Sequence, residues 1–289
     1  MKKTVLITGT SGGFGADTVE TLHKAGHRVF ASMRDAKGTA RETAEKFRAE
    51  GIDVLDLDVT SDASVDAAFA DLYKKTGGKL DVLVNNAGLF FAGLSETFSP
   101  DQVRTMFEVN VFGMHRVMRA ALPQMRKNKA GLVINIGSIL GRVTIPFVGH
   151  YGATKHAVEA MTESYRYELS QLGIDVVLIQ PGPFATNLYS APTTPANPDR
   201  APGYGETAEL PNEIGKILTG FFQNPDSPTP HEVAKEVEKL IATPDGKRPT
   251  RVVVGAAFGA DQADEALKPL QANLVHGFGF DKLEKLNVR

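Results

Sequence analysis

The sequence predicts an α/β fold in which about seven strands form one doubly wound parallel sheet. Short apolar runs rich in β-branched residues alternate with longer amphipathic stretches, and Gly, Asp or Asn bounds each run. Runs that are apolar on both faces are typical of strands buried on both sides, as in a parallel sheet. Repeated right-handed strand–helix–strand units of this kind build the Rossmann fold.

The apolar runs are the predicted strands, and the amphipathic stretches between them are the predicted helices. Two helix starts are marked by a capping box with proline at the first helical position. They read Ser99-Pro100-Asp101-Gln102 and Thr229-Pro230-His231-Glu232. The predicted strands, in chain order, are Val5–Thr8, Val29–Ser32, Val54–Leu57, Val82–Asn85, Leu132–Ile136, Val176–Ile179 and Val252–Val254.

Neither a repeat nor a linker divides the chain, so we expect residues 1–289 to form a single domain that carries every site. One stretch breaks the alternation of strands and helices. Residues 187–211 have little periodicity, and a loop of that length in a compact domain is usually functional. We predict that 187–229 is a substrate-binding lid; the alternative is a long surface loop. Its prolines are Pro192, Pro195, Pro198, Pro202 and Pro211.

Composition excludes several classes of function. The chain has 32 basic and 34 acidic residues, so the basic footprint of a nucleic-acid or anionic-membrane partner is missing. It has no cysteine, which removes disulfides and thiolate chemistry. The seven histidines show no metal-ligand spacing, so no metal is expected. The apolar run Val5–Ile7 is too short for a signal peptide or a membrane span, and we expect a cytoplasmic protein.

A glycine-rich turn follows the first predicted strand and precedes a helix. It reads Thr8-Gly9-Thr10-Ser11-Gly12-Gly13-Phe14-Gly15. Glycines let the backbone approach a pyrophosphate, and the helix N-terminus adds free N–H groups and partial positive charge. The turn therefore indicates a dinucleotide site, although a tight turn without a ligand would show the same glycines.

A tyrosine and a lysine stand one helical turn apart in the sequence Tyr151-Gly152-Ala153-Thr154-Lys155. A phenol has a pKa near 10, and a nearby ammonium lowers it. Such a group can give a proton to a carbonyl oxygen or take one from an alcohol. A surface i,i+4 pair is the alternative, but Ser138 precedes the pair at the end of a predicted buried strand. The pair is therefore a candidate for proton transfer in catalysis.

Together these motifs resemble the short-chain dehydrogenase/reductase family, and they look most like its hydroxysteroid and retinol dehydrogenase-like branch. The resemblance covers about Thr4 to Thr186 and the strand at Val252–Val254. The family's glycine spacing is T-G-x-x-x-G-x-G, as at residues 8–15. The other matching motifs are Asp58-Val59, Asn85-Asn86-Ala87-Gly88, Asn110, Ser138, Tyr151, Lys155, Pro181-Gly182 and Thr186.

The resemblance implies a catalytic tetrad and a cofactor site. Tyr151 is the implied acid/base, and Lys155 lowers its pKa and holds the nicotinamide ribose. Ser138 binds the substrate oxygen, where charge develops in the transition state. Asn110 anchors a water that connects Lys155 to solvent. The implied cofactor-binding residues are Gly9, Ser11, Gly13, Phe14, Gly15, Arg34, Asp58, Val59, Asn86, Ala87, Gly88, Tyr151, Lys155, Pro181, Gly182 and Thr186.

The end of the second strand indicates which nicotinamide is used. The family's NAD-selecting acid stands at the strand end, where this chain has Met33, and Arg34 follows it. A guanidinium pairs bidentately with a 2′-phosphate, and the Ser11 hydroxyl can assist. We therefore predict NADP(H) rather than NAD(H). Two alternatives stay open: Asp35 could be the ribose ligand, or it could pair with a solvated Arg34.

The resemblance also locates the substrate wall, which carries neither lysine nor arginine. An apolar, aromatic wall suits a lipophilic ketone, aldehyde or secondary alcohol. We expect Phe90 and Ile145 to lie in the core and His150 in the pocket wall. The other residues of the predicted wall are Leu89, Phe91, Ile139 and Val148. The predicted substrate-binding residues are Ser138, Leu140, Phe147, His150, Phe184, Leu188 and Tyr189.

The sequence thus predicts an NADP(H)-dependent carbonyl reductase or alcohol dehydrogenase. The alternatives are an NAD-linked alcohol dehydrogenase of the same fold and a non-catalytic NADP-sensing regulator, against which the intact tetrad argues. Family members pair two long helices across a two-fold axis. The corresponding residues here are 103–126 and 151–172, so we expect a homodimer or homotetramer with no nucleic-acid or membrane partner.

Overall fold

The computed structural model describes residues 1–189 and 193–288. Within these ranges seven strands form one sheet, flanked by nine α-helices. The strands are β1 (Thr4–Thr8), β2 (Arg28–Met33), β3 (Asp53–Asp56), β4 (Val82–Asn85), β5 (Gly131–Ile136), β6 (Ile174–Pro181) and β7 (Arg251–Val254). The helices are α1 (Gly13–Lys24), α2 (Arg41–Ala49), α3 (Asp62–Thr76), α4 (Pro100–Phe107), α5 (Met114–Asn128), α6 (Gly149–Ser170), α7 (Leu210–Gln223), α8 (His231–Ala242) and α9 (Ala260–Gly277).

The strand order is β3-β2-β1-β4-β5-β6-β7, and all neighbouring strands pair in parallel. This confirms the predicted doubly wound sheet, with each predicted strand within two residues of its observed ends. The chain reverses its direction of winding between β1 and β4, where ligands bind in sheets of this kind. The carboxyl ends of β1, β4, β5 and β6 therefore surround one crevice.

Each face of the sheet has its own core. On one face β1 and β2 pack against α1, α2 and α8 through residues such as Leu22, Phe47 and Val237. On the other face β4 and β5 pack against α3, α5 and α6 through residues such as Leu72 and Met118. Apolar burial on both faces explains why the strands read as continuous hydrophobic runs.

The predicted long helix over 103–126 contains an irregular turn. Helix α4 passes into a π-helical segment at Glu108–Gly113, which continues as α5. A Cβ on Gly113 would lie 2.8 Å from Cγ2 of Val59, so the segment approaches the β3 side closely. π-helical turns are rare and are often found at functional sites. The segment carries Asn110.

The two predicted capping boxes differ in the structure. At α4 both halves form: Gln102 N–H donates to Ser99 Oγ at 3.2 Å, and Ser99 N–H donates to Gln102 Oε1 at 3.1 Å. At α8 the Thr229 N–H donates to Glu232 Oε1 at 3.2 Å. The N-cap there is Pro230, which has no side-chain oxygen, so α8 begins without the reciprocal bond.

The predicted lid is more helical than its lack of periodicity suggested. Beyond a 3₁₀ turn at Asn187–Tyr189, it contains 3₁₀ turns over Pro198–Glu209, broken at Gly205, and helix α7. No residue of α7, which lies wholly within the described ranges, is buried. Pro192 lies outside the described residues. None of the helices in 1–189 and 193–288 combines the length and the hydropathy needed to cross a bilayer.

Candidate active site

The glycine-rich turn is shaped by close backbone contacts. Gly9 has φ +69°, and a Cβ there would lie 2.7 Å from Ala87 Cα. A Cβ on Gly15 would lie 2.3 Å from the Gly9 oxygen. Helix α1 starts at Gly13 with no capping side chain and no acid in its first turn. Its first N–H groups, beside an open cleft, therefore fit the pyrophosphate of a dinucleotide.

Asn86 fixes this turn to the end of β4. Its Nδ2 donates to the backbone oxygens of Thr8 and Gly9, each at 2.9 Å. The Thr8 hydroxyl in turn accepts from the N–H groups of Asn86 and Ala87 at 3.0 and 3.1 Å. Four hydrogen bonds thus join the ends of the two strands at the point where the sheet reverses its winding. Asn86 and Ala87 hold the shape of the turn.

The catalytic candidates meet where β5 ends and α6 begins. Tyr151 lies in the first turn of α6 and is 7% exposed. Lys155, one turn later, donates from Nζ to the Ile136 oxygen at 2.9 Å, and Nζ lies 5.6 Å from the centroid of the Tyr151 ring. Ser138 accepts the Leu140 N–H on its Oγ at 3.1 Å. That bond uses a lone pair, so the Ser138 O–H stays available to donate.

Asn110 braces this arrangement from the π-helical segment. Its Oδ1 accepts the Leu89 N–H at 2.7 Å, and its Nδ2 donates to the Leu89 oxygen at 2.9 Å and to the Thr154 hydroxyl at 3.0 Å. The side chain therefore joins the segment after β4 to the helix that carries Tyr151 and Lys155. The water-anchoring role that the resemblance implies stays a prediction.

Burial determines the proton affinities of the catalytic pair. It raises the pKa of Tyr151 above its ordinary value, and the Ser138 hydroxyl opposes that rise only in part. Burial also lowers the pKa of Lys155 to about 8, an effect that Glu159 opposes. Removal of water disfavours the phenolate and so raises the pKa of Tyr151 in the ligand-free protein, whereas the lowering by Lys155 that the resemblance implies stays a prediction. Tyr151 is consequently a neutral phenol at neutral pH.

One cleft of about 310 Å³ collects these groups at the carboxyl ends of the strands. The turn, the catalytic groups and the segment after β6 all line it. Of the predicted cofactor residues, the lining contains Gly9, Ser11, Gly13, Phe14, Asn86, Gly88, Tyr151, Lys155, Pro181, Gly182 and Thr186.

Comparison with known proteins places the chain in a family. The family model described as short chain dehydrogenase matches residues 3–195. The chain belongs to the short chain dehydrogenase family. The protein is thus an oxidoreductase with a nicotinamide-binding Rossmann fold.

Curated relatives are similar over most of this short chain dehydrogenase. The 3-ketodihydrosphingosine reductase of Bacteroides thetaiotaomicron is 32% identical over 252 residues, 82% of this chain and 90% of that protein. The NADPH-dependent 3-dehydrocapnine reductase of Ornithobacterium rhinotracheale is 35% identical over 218 residues, 73% of this chain and 76% of that protein.

Solved structures share the fold over most of the chain. A short-chain dehydrogenase from Streptomyces avermitilis has a TM-score of 0.76 and 30% identity, with 98% of both chains covered. A variant of actinorhodin polyketide ketoreductase with NADPH has a TM-score of 0.72 and 27% identity, covering 90% of this chain and 97% of that one. A 3-ketoacyl-(acyl-carrier-protein) reductase from Brucella melitensis, in complex with NADH, has a TM-score of 0.72 and 25% identity, covering 88% and 96%.

At the end of β2 in this dehydrogenase, the structure shows which side chains are buried and which are exposed. The strand ends at Met33, as predicted, but that side chain is 1% exposed and packs in the core. Arg34 is exposed. The Asp35 carboxylate accepts from the Thr39 N–H at 2.8 Å and the Thr39 hydroxyl at 3.1 Å, and these bonds lower its pKa. Asp35 Oδ2 is therefore engaged within its own turn, and Arg34 also lowers the pKa of this carboxyl. Both alternative roles that the sequence left open for Asp35 stay open.

Asp58 and Val59, which follow β3, also make local contacts. Asp58 Oδ1 accepts the N–H and hydroxyl of Thr60 at 2.9 and 2.7 Å. The Val59 side chain is 8% exposed and packs in the core beside Gly113. The contact of Asp58 and Val59 with an adenine, which the resemblance implies, stays a prediction.

The predicted substrate residues divide into two groups. Ser138, Leu188 and Tyr189 line the cleft. Phe184 does not: it is 1% exposed in the core, with its ring centroid 5.3 Å from that of Phe14. Its prediction as a substrate contact is wrong because the chain after β6 turns it into the sheet face shared with α1.

Three further predicted wall residues lie outside the cleft lining. His150 Nε2 lies 3.1 Å from the Ser95 oxygen, and its ring faces Phe98 at 6.1 Å. Phe147 takes a left-handed backbone, φ +67°, and its carbonyl accepts the Gly93 N–H at 2.7 Å. Leu140 packs against the buried cluster that includes Phe91 and Phe98. These three residues contact the segment at 91–98 and do not line the cleft.

The structure reverses two expectations about the core. Phe90 lines the cleft, and its ring centroid lies 4.9 Å from those of both Tyr151 and Tyr189. Ile145 is 41% exposed on the surface. Sequence reasoning also missed Asn187 and Thr193 as lining residues. Asn187 adjoins Gly12, and its position directly after Thr186 was the one available signal.

Proposed function

We propose that this dehydrogenase transfers a hydride between NADP(H) and the carbonyl or alcohol carbon of a lipophilic ketone, aldehyde or secondary alcohol. The observation that carries the proposal is the Tyr151 hydroxyl group. It is buried beside Lys155 and Ser138 in a cleft whose facing wall is the aromatic pair Phe90 and Tyr189. A proton donor, a hydrogen-bond donor and an apolar wall thus surround the space beside the nicotinamide site.

The side chains divide the proton chemistry among them. The bound nicotinamide supplies or accepts the hydride. Tyr151, a neutral phenol, gives its proton to the substrate oxygen in reduction and recovers it in oxidation. The Ser138 O–H donates to the same oxygen and so stabilises the charge that develops there. Lys155, as an ammonium, would hold the ribose hydroxyls and stabilise the phenolate while it exists.

Two features support NADP(H) over NAD(H). Arg34 is an exposed cation directly after β2, and Thr10 N–H donates to the Ser32 oxygen at 3.0 Å, which keeps the glycine-rich turn beside this strand end. Asp35, the acid that could bind free ribose hydroxyls, already accepts two hydrogen bonds from Thr39 on its Oδ2 atom. One relative is named as NADPH-dependent, whereas a neighbouring structure holds NADH, so NAD(H) is the alternative.

The cleft favours an uncharged, lipophilic substrate. Among the described residues that line it, Lys155 alone carries a charge, and its Nζ is directed to the Ile136 oxygen. Phe90, Phe91 and Tyr189 provide aromatic surface. A carboxylate or phosphate on the substrate would lose its water without finding a free cation, which costs free energy. The relatives named as a 3-ketodihydrosphingosine reductase and a retinol dehydrogenase agree with this class.

A turnover screen with matched substrates tests the proposal. Aliphatic and aromatic ketones would be compared with analogues that carry a terminal carboxylate, each with NADPH and with NADH. We expect turnover of the uncharged ketones with NADPH and at least about tenfold lower kcat/KM for the carboxylates. Turnover confined to the anionic analogues, or none with either nicotinamide, would overturn the proposal.

A further inference from the structure

A carboxylate is buried on the catalytic helix next to the active site. Glu159 follows Lys155 by four residues on α6 and is 2% exposed. Residues with this spacing face the same side of a helix, about 5–6 Å apart at Cβ. Burying a charged group without partners is strongly unfavourable, so an acid in this position needs compensating groups.

Glu159 is compensated by groups from three other segments. Gln180 on β6 donates from Nε2 to Oε1 at 2.8 Å. Arg142, after the Ser138 segment, lies 3.0 Å from Oε2, and Arg251 on β7 lies 3.4 Å from it. Burial raises the pKa of Glu159, and these three groups oppose that rise. Two guanidinium groups in direct contact with one carboxylate favour its ionised form at neutral pH.

The same guanidinium groups are shared with two more acids. Arg142 contacts Asp264 of α9 at 2.7 Å and Glu163 of α6 at 2.8 Å. Arg251 also contacts both acids. The cluster therefore contains two cations and three carboxylates, and Lys155 is the next cation along the helix from Glu159. The Glu159 oxygens contact Gln180 and the two arginines, so the carboxylate acts on Lys155 through its charge and not through a direct ion pair.

Glu159 also touches the backbone that carries the catalytic groups. A Cβ on Gly141 would lie 2.4 Å from Glu159 Oε1, so the 3₁₀ turn at Ile139–Gly141 rests directly on the carboxylate. That turn begins immediately after Ser138. Gln180, the hydrogen-bond donor, immediately precedes the cleft residues Pro181 and Gly182. The Glu159 side chain thus contacts the turn after Ser138 and the end of β6, and it stands on α6 with Tyr151 and Lys155.

We propose that Glu159 is a positioning residue: its carboxylate provides the buried countercharge for Lys155 and fixes the turn that carries Ser138. The catalytic consequence rests on the proposed function, because it matters only if Lys155 must be an ammonium when the nicotinamide binds. The effect of the Glu159 carboxylate on the pKa of Lys155 does not depend on the proposed function.

The charges around Lys155 explain the expected effect. Lys155 is faced by Tyr151 and Glu159 on its own helix and by the Ile136 carbonyl on β5. Burial lowers the pKa of Lys155 to about 8, and the Glu159 carboxylate raises it. Without that carboxylate, the ammonium would be lost at a lower pH. In a variant without the Glu159 carboxylate, Lys155 would therefore be less protonated than in wild type at any pH near 8.

The direct test is the titration of Lys155 by NMR in the ligand-free enzyme with isotopically labelled lysine. The Lys155 signal is assigned by its loss in Lys155→Met. In Glu159→Gln we expect its midpoint to move down by at least about half a pH unit. Glu159→Asp, which keeps the charge, should restore most of the difference. Gly141→Ala, which displaces the carboxylate without removing it, should also move the midpoint and covers the case in which Glu159→Gln does not fold.

Asp264→Asn is the matched control. It removes one carboxylate from the same cluster, and Asp264 contacts the same two arginines, but it lies on α9. A general loss of packing would move both variants alike, whereas the proposal requires a shift in Glu159→Gln alone. An unmoved Lys155 midpoint in Glu159→Gln, or equal shifts in both variants, would overturn it.

Cofactor binding provides the second readout. We expect Glu159→Gln to bind NADPH nearly as well as wild type at pH about 6.5 and about threefold or more weakly at pH about 9. A wild type that binds neither nicotinamide would refute the proposed function, and the NMR titration would still answer the electrostatic proposal.

Discussion

At the scale of single residues, the active site depends on how little water reaches Tyr151. The ring is covered by Phe90, which in turn contacts Tyr189, and the hydroxyl side meets Ser138. The same burial that raises the pKa of Tyr151 lowers that of Lys155. Desolvation disfavours the charged form of each, so the two effects have one cause and opposite signs. A neutral phenol beside a weakly held ammonium suits proton donation to a carbonyl.

Replacing Tyr151 with Phe tests the acid/base assignment. The ring and its contact with Phe90 remain, so we expect the fold and nicotinamide binding to be kept. Turnover should fall by roughly 10²–10⁴-fold, the usual contribution of a positioned proton donor. Steady-state kinetics and a fluorescence titration of the cofactor measure the two quantities.

Tyr165→Phe is the control for that change. Its hydroxyl lies 2.6 Å from His115 Nδ1, on the same helix but remote from the cleft, and its loss should leave turnover within about twofold. A Tyr151→Phe variant as active as this control would show that another group moves the proton.

Replacing Arg34 with Leu tests the choice of nicotinamide. An exposed guanidinium that pairs with a 2′-phosphate contributes about ten- to hundredfold in affinity. We expect the Michaelis constant for NADPH to rise by that factor and that for NADH to change little. The sequence alone would suggest combining Arg34→Leu with Met33→Asp. The second change is unsuitable, because Met33 is 1% exposed in the core and an unpaired carboxylate there would destabilise the fold.

Arg48→Leu on α2 is the matched control, since it removes an exposed arginine from a nearby helix. It should leave both Michaelis constants unchanged. If wild type prefers NADH, or if both variants weaken NADPH equally, Arg34 has no specific role and the cofactor proposal fails.

At the scale of elements, the site is built where regular structure is interrupted. The π-helical segment places Asn110 against Leu89 and Thr154, and the glycine-rich turn allows backbone contacts that no Cβ would permit. The segment after β6 adds the third interruption. It carries Tyr189, whose ring lies 5.5 Å from that of Phe222 on α7. An aromatic path therefore leads from α7 through Tyr189 and Phe90 to Tyr151.

This path leads to a prediction about the lid. Residues 193–211 and α7 are held by few buried contacts, and such segments open with low free energy. We expect their amide hydrogens to exchange faster than those of α6 in the ligand-free enzyme. Exchange should slow when NADP and an unreactive substrate analogue are bound together.

Helix α8 is the internal control for that experiment. Its Val233, Ala234 and Val237 are fully buried, so its exchange should not respond to ligand. Equal exchange of the lid segment with and without ligands would mean that it is a surface loop with no part in substrate binding.

At the scale of the whole molecule, the parallel sheet leaves α4, α5 and α6 on one outer face. Apolar side chains remain exposed there, including Phe112 in the π-helical segment at 50% and Leu172 after α6 at 40%. An exposed aromatic on a packed face is typical of an interface between subunits. We propose a homodimer or homotetramer joined through these helices across a two-fold axis.

Sedimentation at micromolar concentration measures this assembly. We expect wild type to be dimeric or tetrameric and Phe112→Asp to shift toward smaller species, because a charge buried in an interface is strongly unfavourable. Phe258→Asp changes an aromatic that is 66% exposed near α7 and should leave the assembly unchanged. A monomeric wild type would contradict the prediction.

The sequence by itself determined the parts whose signals are local. Hydrophobic runs indicated each of the predicted strands, because parallel strands are buried on both faces and show it in their composition. The glycine spacing at residues 9–15 and the four-residue step from Tyr151 to Lys155 follow from backbone geometry, which is written in nearby residues. The family resemblance then placed Asn110, Ser138 and the cleft residues after β4 and β6.

Only the tertiary structure decided which way the side chains around those motifs point and how much water they meet. Phe184 and Met33 entered the core while Phe90 reached the cleft, although all three are apolar residues near strand ends. The pKa of Tyr151 rose because side chains from distant segments cover it. Glu159 found its guanidinium partners at residues 142 and 251. Burial and ion pairing depend on contacts between residues far apart in the chain, and these exist only once the layers have packed together.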